Sequence, residues 1–398
     1  MTINPVPANE MKRLMALSEF DIDFSSIDNN FKDLTKLAAK VAGVPISMIN
    51  LIDSFTQWTI SYHGMESFQT PREETTCQYT IMEDSHFEIK DFTADDRFKN
   101  EDFVVEGNLR YYYGVPLKAD GYNIGALCVL DKKANLASIA PEKAELLQII
   151  AEEVITRLKT FKYIESLRNK IDEVNTTKNK VVHDIRGPIG GIMGLAQIIS
   201  EQGKDNKIDE VLDFINLIYK SGHSILELAD EILSADKRKN NNLKSNELTL
   251  ALFKDKLEKL YTPQAKTKNI LLTIKTNREK EEIAFPQSKL LQIAGNLISN
   301  AIKFTPKFGD VSVSLDLIIN DKDRSLHITV KDSGVGIEPE RLKELMADNA
   351  TSTNGTDGEK GYGFGLELVK HLVAGLRGTF SITSEYGKGA AFEIALPI

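Results

Sequence analysis

Hydrophobic positions in the first 130 residues alternate between helical and strand spacing. Apolar side chains recur every three or four positions over residues 31–42, which predicts a helix with one apolar face. Residues 46–53 and 57–62 then follow strand patterns. Two further strands, 111–117 and 124–130, flank a glycine-containing connection typical of a hairpin. This mixture predicts an α/β sheet domain.

The pattern changes from about Pro141, where a long helical stretch begins that contains no glycine or proline before Gly187. Its apolar seam, interrupted once by Lys178, is Ile164, Leu167, Ile171, Val174, Lys178, Val181 and Ile185. A second seam of the same spacing is Val211, Ile215, Ile218, Gly222, Ile225, Ala229 and Ile232. Two seamed helices joined by a short loop predict a helical hairpin over residues 161–240. Pairing of two copies in a four-helix bundle would bury both seams. Packing against another part of the same chain is the alternative, and the length and regularity of the seams favour the dimer.

A polar linker at residues 237–242 precedes a third region in which helices and strands alternate again. The predicted helices are 252–260, 289–304 and 365–374, and the predicted strands are 270–275, 311–319 and 325–332, with further strands near Phe380 and Phe392. The expected fold class is therefore multidomain: an α/β domain, an all-α hairpin and an α/β sandwich.

Composition narrows the class of protein. The 398 residues are 41% hydrophobic and 27% charged, which is ordinary for globular domains. Acidic residues outnumber basic ones, 58 to 49, which argues against a nucleic-acid binder. Two cysteines cannot form a disulfide framework, and neither a signal peptide nor an apolar run long enough for a membrane span is found. A cytoplasmic protein is expected.

Three polar side chains share one face of the helix predicted at residues 289–304. Asn296, Asn300 and Lys303 are spaced i, i+4 and i+7. Amide oxygens can ligate a divalent cation and a lysine can meet phosphate charge, although a solvated helix face is the simpler interpretation of this set alone.

Two glycine-containing segments follow. Asp332 ends a predicted strand and precedes Gly334 and Gly336; its carboxylate can accept the amine hydrogen of adenine, and the glycines permit close backbone approach. A glycine triplet opens the last helix, where backbone amides can face phosphate oxygens: Gly361, Gly363 and Gly365. Between the two segments, residues 347–360 have the composition of a mobile lid.

In this order and context, the motifs resemble the Bergerat-type ATP-binding domain of sensor histidine kinases, over residues 246–398. The resemblance implies Mg-ATP binding, with Asn300 on Mg²⁺, Asp332 on adenine, and Lys303 and the Gly361–Gly365 loop on the phosphates. Related hydrolytic ATPases carry a glutamate where Asn296 stands. An amide cannot act as a general base, which favours phosphotransfer over hydrolysis.

The candidate phosphoacceptor is His183, since a neutral imidazole is nucleophilic near neutral pH. Its neighbour Asp184 could orient the ring and accept its proton. The run from His183 to Pro188 resembles the H-box of histidine kinases, so the hairpin resembles their dimerisation and phosphotransfer domain. Gly187 stands where many members carry a Thr or Asn linked to dephosphorylation of the partner, which leaves phosphatase activity open.

Residues 12–160 resemble a GAF domain, through the segment Tyr111–Leu117, the hairpin that follows it and a short helix from Thr75 to Ile81. GAF domains bind small molecules or serve in dimerisation, and the ligand here is unknown. Cys77 is expected to be a buried structural residue. Trp58, Tyr62 and Tyr111–Tyr113 could line a pocket, although core packing is the commoner fate of such aromatics.

The sequence thus predicts a sensor histidine kinase that uses Mg-ATP, forms a homodimer and passes its phosphoryl group to a separate response regulator. A small-molecule signal at the GAF domain is possible under this prediction, and neither nucleic acid nor a membrane span is expected. The alternative is a GAF-controlled dimeric scaffold that binds ATP without phosphotransfer. Whether phosphorylation occurs within or between subunits stays open.

Overall fold

A computed structural model describes residues 5–21, 30–66, 69–202, 208–235, 247–286, 289–320, 324–346, 356 and 364–398. They form two compact units. One consists of Met1–Lys162 with Leu248–Ile398, and the other is Tyr163–Glu247.

The chain before residue 163 builds a six-stranded antiparallel sheet with helices on both faces. Its short helices are α1 (Glu10–Ser18), α2 (Lys32–Ala42), α3 (Cys77–Thr80) and α4 (Asp102–Val105). Its strands are β1 (Ile46–Ile52), β2 (Thr56–His63), β3 (Gln69–Pro71), β4 (Phe87–Ile89), β5 (Tyr111–Ala119) and β6 (Tyr122–Asp131). The order across the sheet is β3-β2-β1-β6-β5-β4.

Both faces of this sheet are covered, which explains why β1 is buried along its whole length. One core includes side chains from α2 and from the beginning of the long helix α5 (Pro141–Gln202). The other core includes side chains from α3 and α4. Tyr111 and Tyr113 face the first core and Tyr112 the second, as the two-residue period of a strand requires. Core packing is therefore the role of these aromatics.

The chain from residue 247 onward builds a five-stranded sheet covered on one face by helices. The helices are α7 (Leu250–Thr267), α8 (Leu290–Phe304), α9 (Pro339–Met346) and α10 (Phe364–Gly375). The strands are β7 (Glu247–Leu248), β8 (Leu271–Thr276), β9 (Phe285–Pro286), β10 (Asp310–Ile319), β11 (Arg324–Asp332), β12 (Thr379–Glu385) and β13 (Gly389–Pro397). The order is β12-β13-β11-β10-β8, with β7 and β9 paired separately.

Helix α8 lies in the crossover between the only parallel neighbours of this sheet, β8 and β10. Parallel strands need such a crossover, and the helix therefore packs on the sheet. Strand β10 alternates exposed and buried residues, so its apolar side chains meet the helices while the other side faces solvent. This α/β layer fixes α8, the end of β11 and the start of α10 relative to one another.

The second unit contains the later part of α5 and helix α6 (Ile208–Ala235). A Cβ atom added at Gly191 would lie 4.0 Å from the Ser221 hydroxyl oxygen, so the two helices approach each other there. Many of its apolar side chains are exposed: Leu167, Ile171, Ile189, Met193, Leu212, Ile215 and Leu226. The bundle of two copies stays a prediction.

No helix in the described part of the chain combines the length and the apolar character that a bilayer crossing needs.

Candidate nucleotide site

The polar face of α8 is buried, unlike the solvated helix face that the spacing alone would suggest. Asn296 is 4% exposed and Lys303 is 6% exposed. The Asn296 side-chain amide donates to the Gln292 carbonyl oxygen at 2.8 Å. Asn300 is half-buried, and its side chain makes no hydrogen bond to the other described residues, so its amide oxygen is available to a ligand. Burial of an amide and an ammonium on one helix face, with the half-buried Asn300 between them, indicates a site rather than a surface.

Asp332 ends β11 as a buried carboxylate. Its Oδ1 accepts hydrogen bonds from the backbone amides of Gly334 at 2.9 Å and Ala390 at 3.2 Å. Burial raises the pKa of the Asp332 carboxyl above its ordinary value, although these two amides act in the opposite direction. No described donor reaches Oδ2, which can therefore accept a hydrogen bond from a ligand amine.

The glycines after Asp332 are required by the fold itself. A Cβ atom at Gly334 would lie 2.3 Å from the Phe304 carbonyl oxygen, and Gly336 has a φ of +67°. The Val335 amide also donates to the Phe304 oxygen at 3.3 Å. The segment after Asp332 is thereby joined to the carboxyl end of α8, which carries Lys303.

The start of α10 meets the same helix. A Cβ atom at Gly365 would lie 3.0 Å from Asn296 Oδ1, so there is room for backbone only. Gly361 and Gly363 lie outside the described residues. The structure thus brings together Asn296, Lys303, Asp332 and Gly365 within one layer of the domain.

His183 lies in α5, within the second unit. The side chains of His183 and Asp184 lie outside those that the structure describes. The six-residue run ends at Pro188, and α5 continues beyond it to Gln202.

Lys268 is a residue of this site that the sequence pattern does not reveal. Its buried ammonium donates to the carbonyl oxygens of Ile302 at 3.1 Å and Lys303 at 2.7 Å, and to the Thr356 hydroxyl at 2.9 Å. A cation at the carboxyl end of a helix satisfies the last carbonyls and the helix dipole. Lys268 therefore holds the end of α8 that carries Lys303.

Lys268→Met should destabilise the first unit by about 2 kcal/mol, because charged hydrogen bonds to buried carbonyls are lost. Urea unfolding followed by the fluorescence of Trp58, the single tryptophan, measures this change. The exposed Lys266→Met is the matched control and should change stability by less than about 0.5 kcal/mol. Equal stability of the two variants would contradict the role given to Lys268.

A second feature that sequence reasoning missed is the turn between β1 and β2, residues Asp53–Phe55, here named the β1–β2 turn. The Ser54 hydroxyl donates to Asn296 Oδ1. The ring centroid of Phe55 lies 5.5 Å from the Lys303 ammonium nitrogen. These contacts join the two sheets of the first unit at the candidate site.

A buried ion network supports that turn. Glu10 accepts hydrogen bonds from Arg13 at 2.7 and 2.8 Å and from Arg72 at 2.5 Å. Burial alone would raise the pKa of Glu10, but the two guanidinium groups offset it and hold the pKa at about 2. Arg13 also donates to the Ile52 carbonyl oxygen at 2.5 Å, and Arg72 to that of Asp53 at 3.3 Å.

The two cysteines, Cys77 in α3 and Cys128 in β6, are both free and buried, as expected for Cys77. The Asn50 amide donates to the sulfur of Cys77 at 3.3 Å and to that of Cys128 at 3.4 Å. Trp58 instead packs with the residues of the C-terminal core, and the centroid of its ring lies 6.1 Å from that of the Tyr261 ring.

Within the described ranges, no cluster of three or more His, Cys, Asp or Glu side chains forms a metal site. A cation here would depend on an amide such as that of Asn300 and on oxygens of the nucleotide.

Comparison with known families gives two matches. The family described as histidine kinase-, DNA gyrase B- and HSP90-like ATPase matches residues 286–398. The GAF domain family matches residues 26–158.

Individual relatives are sensor kinases. The autoinducer 2 sensor kinase/phosphatase LuxQ of Vibrio cholerae is 29% identical over 274 residues, which cover 66% of this chain and 31% of that protein. Histidine kinase P4 of Formosa agariphila is 25% identical over 361 residues, which cover 87% of this chain and 25% of that protein. The chain therefore spans less than a third of the length of either relative. The solved catalytic domain of histidine kinase ThkA aligns with a TM-score of 0.31 and 18% identity, covering 38% of this chain and 93% of that chain.

These sequence matches show a GAF domain at residues 26–158, followed at residues 286–398 by an ATPase domain of the family shared by histidine kinases, DNA gyrase B and HSP90, and the relatives with which the chain aligns include sensor kinases.

Proposed function

We propose that this chain is an ATP-dependent protein-histidine kinase that phosphorylates His183 under control of its GAF domain. The observation that carries the proposal is the convergence of Asn296, Lys303, Asp332 and Gly365 in one α/β layer. The phosphoryl group would then pass to an aspartate of a separate response regulator.

Each residue of the site has a role that its chemistry supports. Asp332 Oδ2 accepts the adenine amine hydrogen, while Gly334 and Gly336 shape the segment beside the base. Asn300 would ligate Mg²⁺, and the cation would reduce the negative charge of the phosphates. Lys303 and Asn296 serve the phosphate end, together with the loop of Gly361, Gly363 and Gly365.

The transfer step needs one nucleophile and one proton acceptor. A ring nitrogen of His183 attacks the γ-phosphorus of ATP, and a P–N bond forms as the P–O bond to ADP breaks. The electron pair of that bond leaves with ADP, and Asp184 accepts the ring proton. The phosphoramidate is labile, which suits onward transfer to an aspartate carboxylate.

Dimerisation is part of the proposal. Leu167 and Ile171 in α5 are each 58% exposed, and Ile215 in α6 is 50% exposed. A second copy would remove these seam positions from water, and fully burying each such side chain contributes about 1.5–3 kcal/mol. A homodimer built on α5 and α6 is therefore the expected state.

Incubation of the full chain with Mg²⁺ and γ-labelled ATP tests the function. We expect protein-bound label that is labile in acid and stable in alkali, as a phosphoramidate is. ATP binding without label would instead support the scaffold. Steady release of phosphate without protein-bound label would indicate a hydrolase.

The raised pKa of Asp332 predicts a pH dependence of adenine binding. Protonation removes the acceptor that the adenine amine needs, and burial makes this happen at a higher pH than for an ordinary aspartate. Affinity for adenosine, which carries no titrating phosphate, should therefore fall on acidification while the protein is still folded. Isothermal titration across acidic pH measures the change.

The matched control is Asp332→Asn, whose amide oxygen can still accept but does not titrate. It should bind adenosine about tenfold more weakly near neutral pH, because the bond to a charged acceptor is lost. The affinity of this variant for adenosine should not change with pH. A wild-type affinity that is equally flat would contradict adenine recognition by this carboxylate.

A further inference from the structure

The β1–β2 turn occupies the phosphate end of the candidate nucleotide site. Ser54 is 1% exposed and donates its hydroxyl hydrogen to Asn296. The Phe55 ring lies against the start of α10, where a Cβ atom added at Gly365 would meet Phe55 Cε2 at 2.3 Å. Ser54 and Phe55 thus contact residues at both α8 and the start of α10.

The contact of Phe55 with Lys303 excludes a phosphate from the same position. The Lys303 ammonium nitrogen lies 5.5 Å from the Phe55 ring centroid and 5.2 Å from that of Phe304, within range of cation–π attraction. Lys303 is buried in this arrangement. A triphosphate that reached Lys303 would have to displace the Phe55 ring.

Residues of the N-terminal part of the chain hold the β1–β2 turn in place. Its backbone receives hydrogen bonds from Arg72 at the oxygens of Asp53 and Phe55, and Arg13 donates to the oxygen of Ile52, the residue just before the turn. The bond to Phe55 comes from the Arg72 backbone amide, at 2.9 Å. These anchors are buried, so the turn is presented to the site as a firm element rather than as a loose loop.

Neighbouring contacts fix the same arrangement from the other side. The Lys289 backbone amide, at the start of α8, donates to Asp21 Oδ1 at 2.8 Å. The Lys289 ammonium also pairs with Glu19 at 3.2 Å. The Trp58 ring meets Tyr261 edge to face. Polar contacts and an aromatic contact thus join the same two parts of the first unit that the turn joins.

We propose that the GAF domain inhibits the kinase in cis, with the β1–β2 turn occupying the place of the ATP phosphates. A change in the GAF domain that withdraws the turn would expose Asn296 and Lys303 and permit nucleotide binding. This inference rests on the proposed function for the roles of those two residues.

Equilibrium binding of a fluorescent ATP analogue with Mg²⁺ to the full chain tests the inhibition. Phe55→Ala should bind the ATP analogue at least about tenfold more tightly than the wild type. In the wild type the nucleotide must displace the Phe55 ring, and the variant lacks that ring. The control is Phe103→Ala, which removes a half-buried phenylalanine from the same domain away from the site. It should leave the affinity within about twofold of wild type, since it does not shift this equilibrium.

Hydrogen exchange of the wild type gives a second readout that needs no variant. Saturating Mg-ATP should accelerate exchange in a peptide covering residues 52–57, because the turn must leave its place. Tight binding that is equal in wild type and Phe55→Ala, or unchanged exchange on binding, would overturn the inhibition and leave the proposed function intact. Failure of every variant to bind would overturn both.

Discussion

Substitution of His183 by glutamine is expected to remove the acid-labile label completely. Glutamine approximates the size of histidine but has no nucleophilic nitrogen, so no P–N bond can form. Binding of the ATP analogue should be unchanged, since His183 is not among the nucleotide-site residues. Autoradiography of the labelled chain, with nucleotide binding measured in parallel, gives both values.

Two further variants make this result specific. His223→Gln in α6 is the matched control, since His223 is an exposed histidine stacked on Tyr219, and it should label like the wild type. Asp184→Asn should slow labelling by about 100-fold, the usual scale for loss of a proton acceptor. Label that persists in His183→Gln would place the phosphoryl group on another residue.

Glu10→Gln is expected to destabilise the first unit by about 3–5 kcal/mol, because it leaves two buried guanidinium groups without their carboxylate. Arg72 would keep its bonds to the β1–β2 turn and Arg13 its bond to Ile52, but both would lack the charge that offsets their own burial. Urea unfolding followed by Trp58 fluorescence measures the loss. Glu153→Gln removes a carboxylate from a more exposed ion pair with Arg157 and should cost less than about 1 kcal/mol.

The same network predicts how stability changes in acid. The pKa of Glu10 is about 2 in the folded chain and 4.5 in its ordinary state, so the folded form binds its proton less readily. The stabilisation is therefore complete above about pH 4.5 and is lost as the pH falls towards 2. Unfolding of Glu10→Gln should lack this component. An identical acid dependence in both proteins would contradict the assignment to Glu10.

Much of the fold could be predicted from the sequence because its elements carry strong periodic patterns. The pattern predicts a helix over residues 289–304, and α8 is Leu290–Phe304. It predicts a strand over 325–332, and β11 is Arg324–Asp332. Both predictions depend on short-range patterns, because the spacing of apolar residues along the chain indicates which face of a helix or strand is buried. The position of Asp332 at the end of a strand followed directly from them.

The contact between the β1–β2 turn and α8 could not be predicted in this way. Ser54 and Asn296 are 242 positions apart, and nothing in the turn sequence distinguishes it from an ordinary solvent-exposed connection. Lys268 was missed for a related reason, since a lysine near a helix end is usually a surface residue. In both cases the partner is a backbone or side-chain group brought near by tertiary packing alone.

Asp332 has a structural role through Oδ1 and a proposed role in adenine binding through Oδ2. This affects which substitutions would indicate that a related protein has lost activity. Its Oδ1 accepts from Gly334 in the segment after β11 and from Ala390 at the start of β13, so a lineage that abandoned ATP would still retain the aspartate for folding. The Asn300 side chain makes no hydrogen bond to the other described residues and carries no such constraint. If Asn300 serves the cation as proposed, an inactive descendant would drift first at Asn300, and the identity of that residue would be the more informative sign of a working kinase.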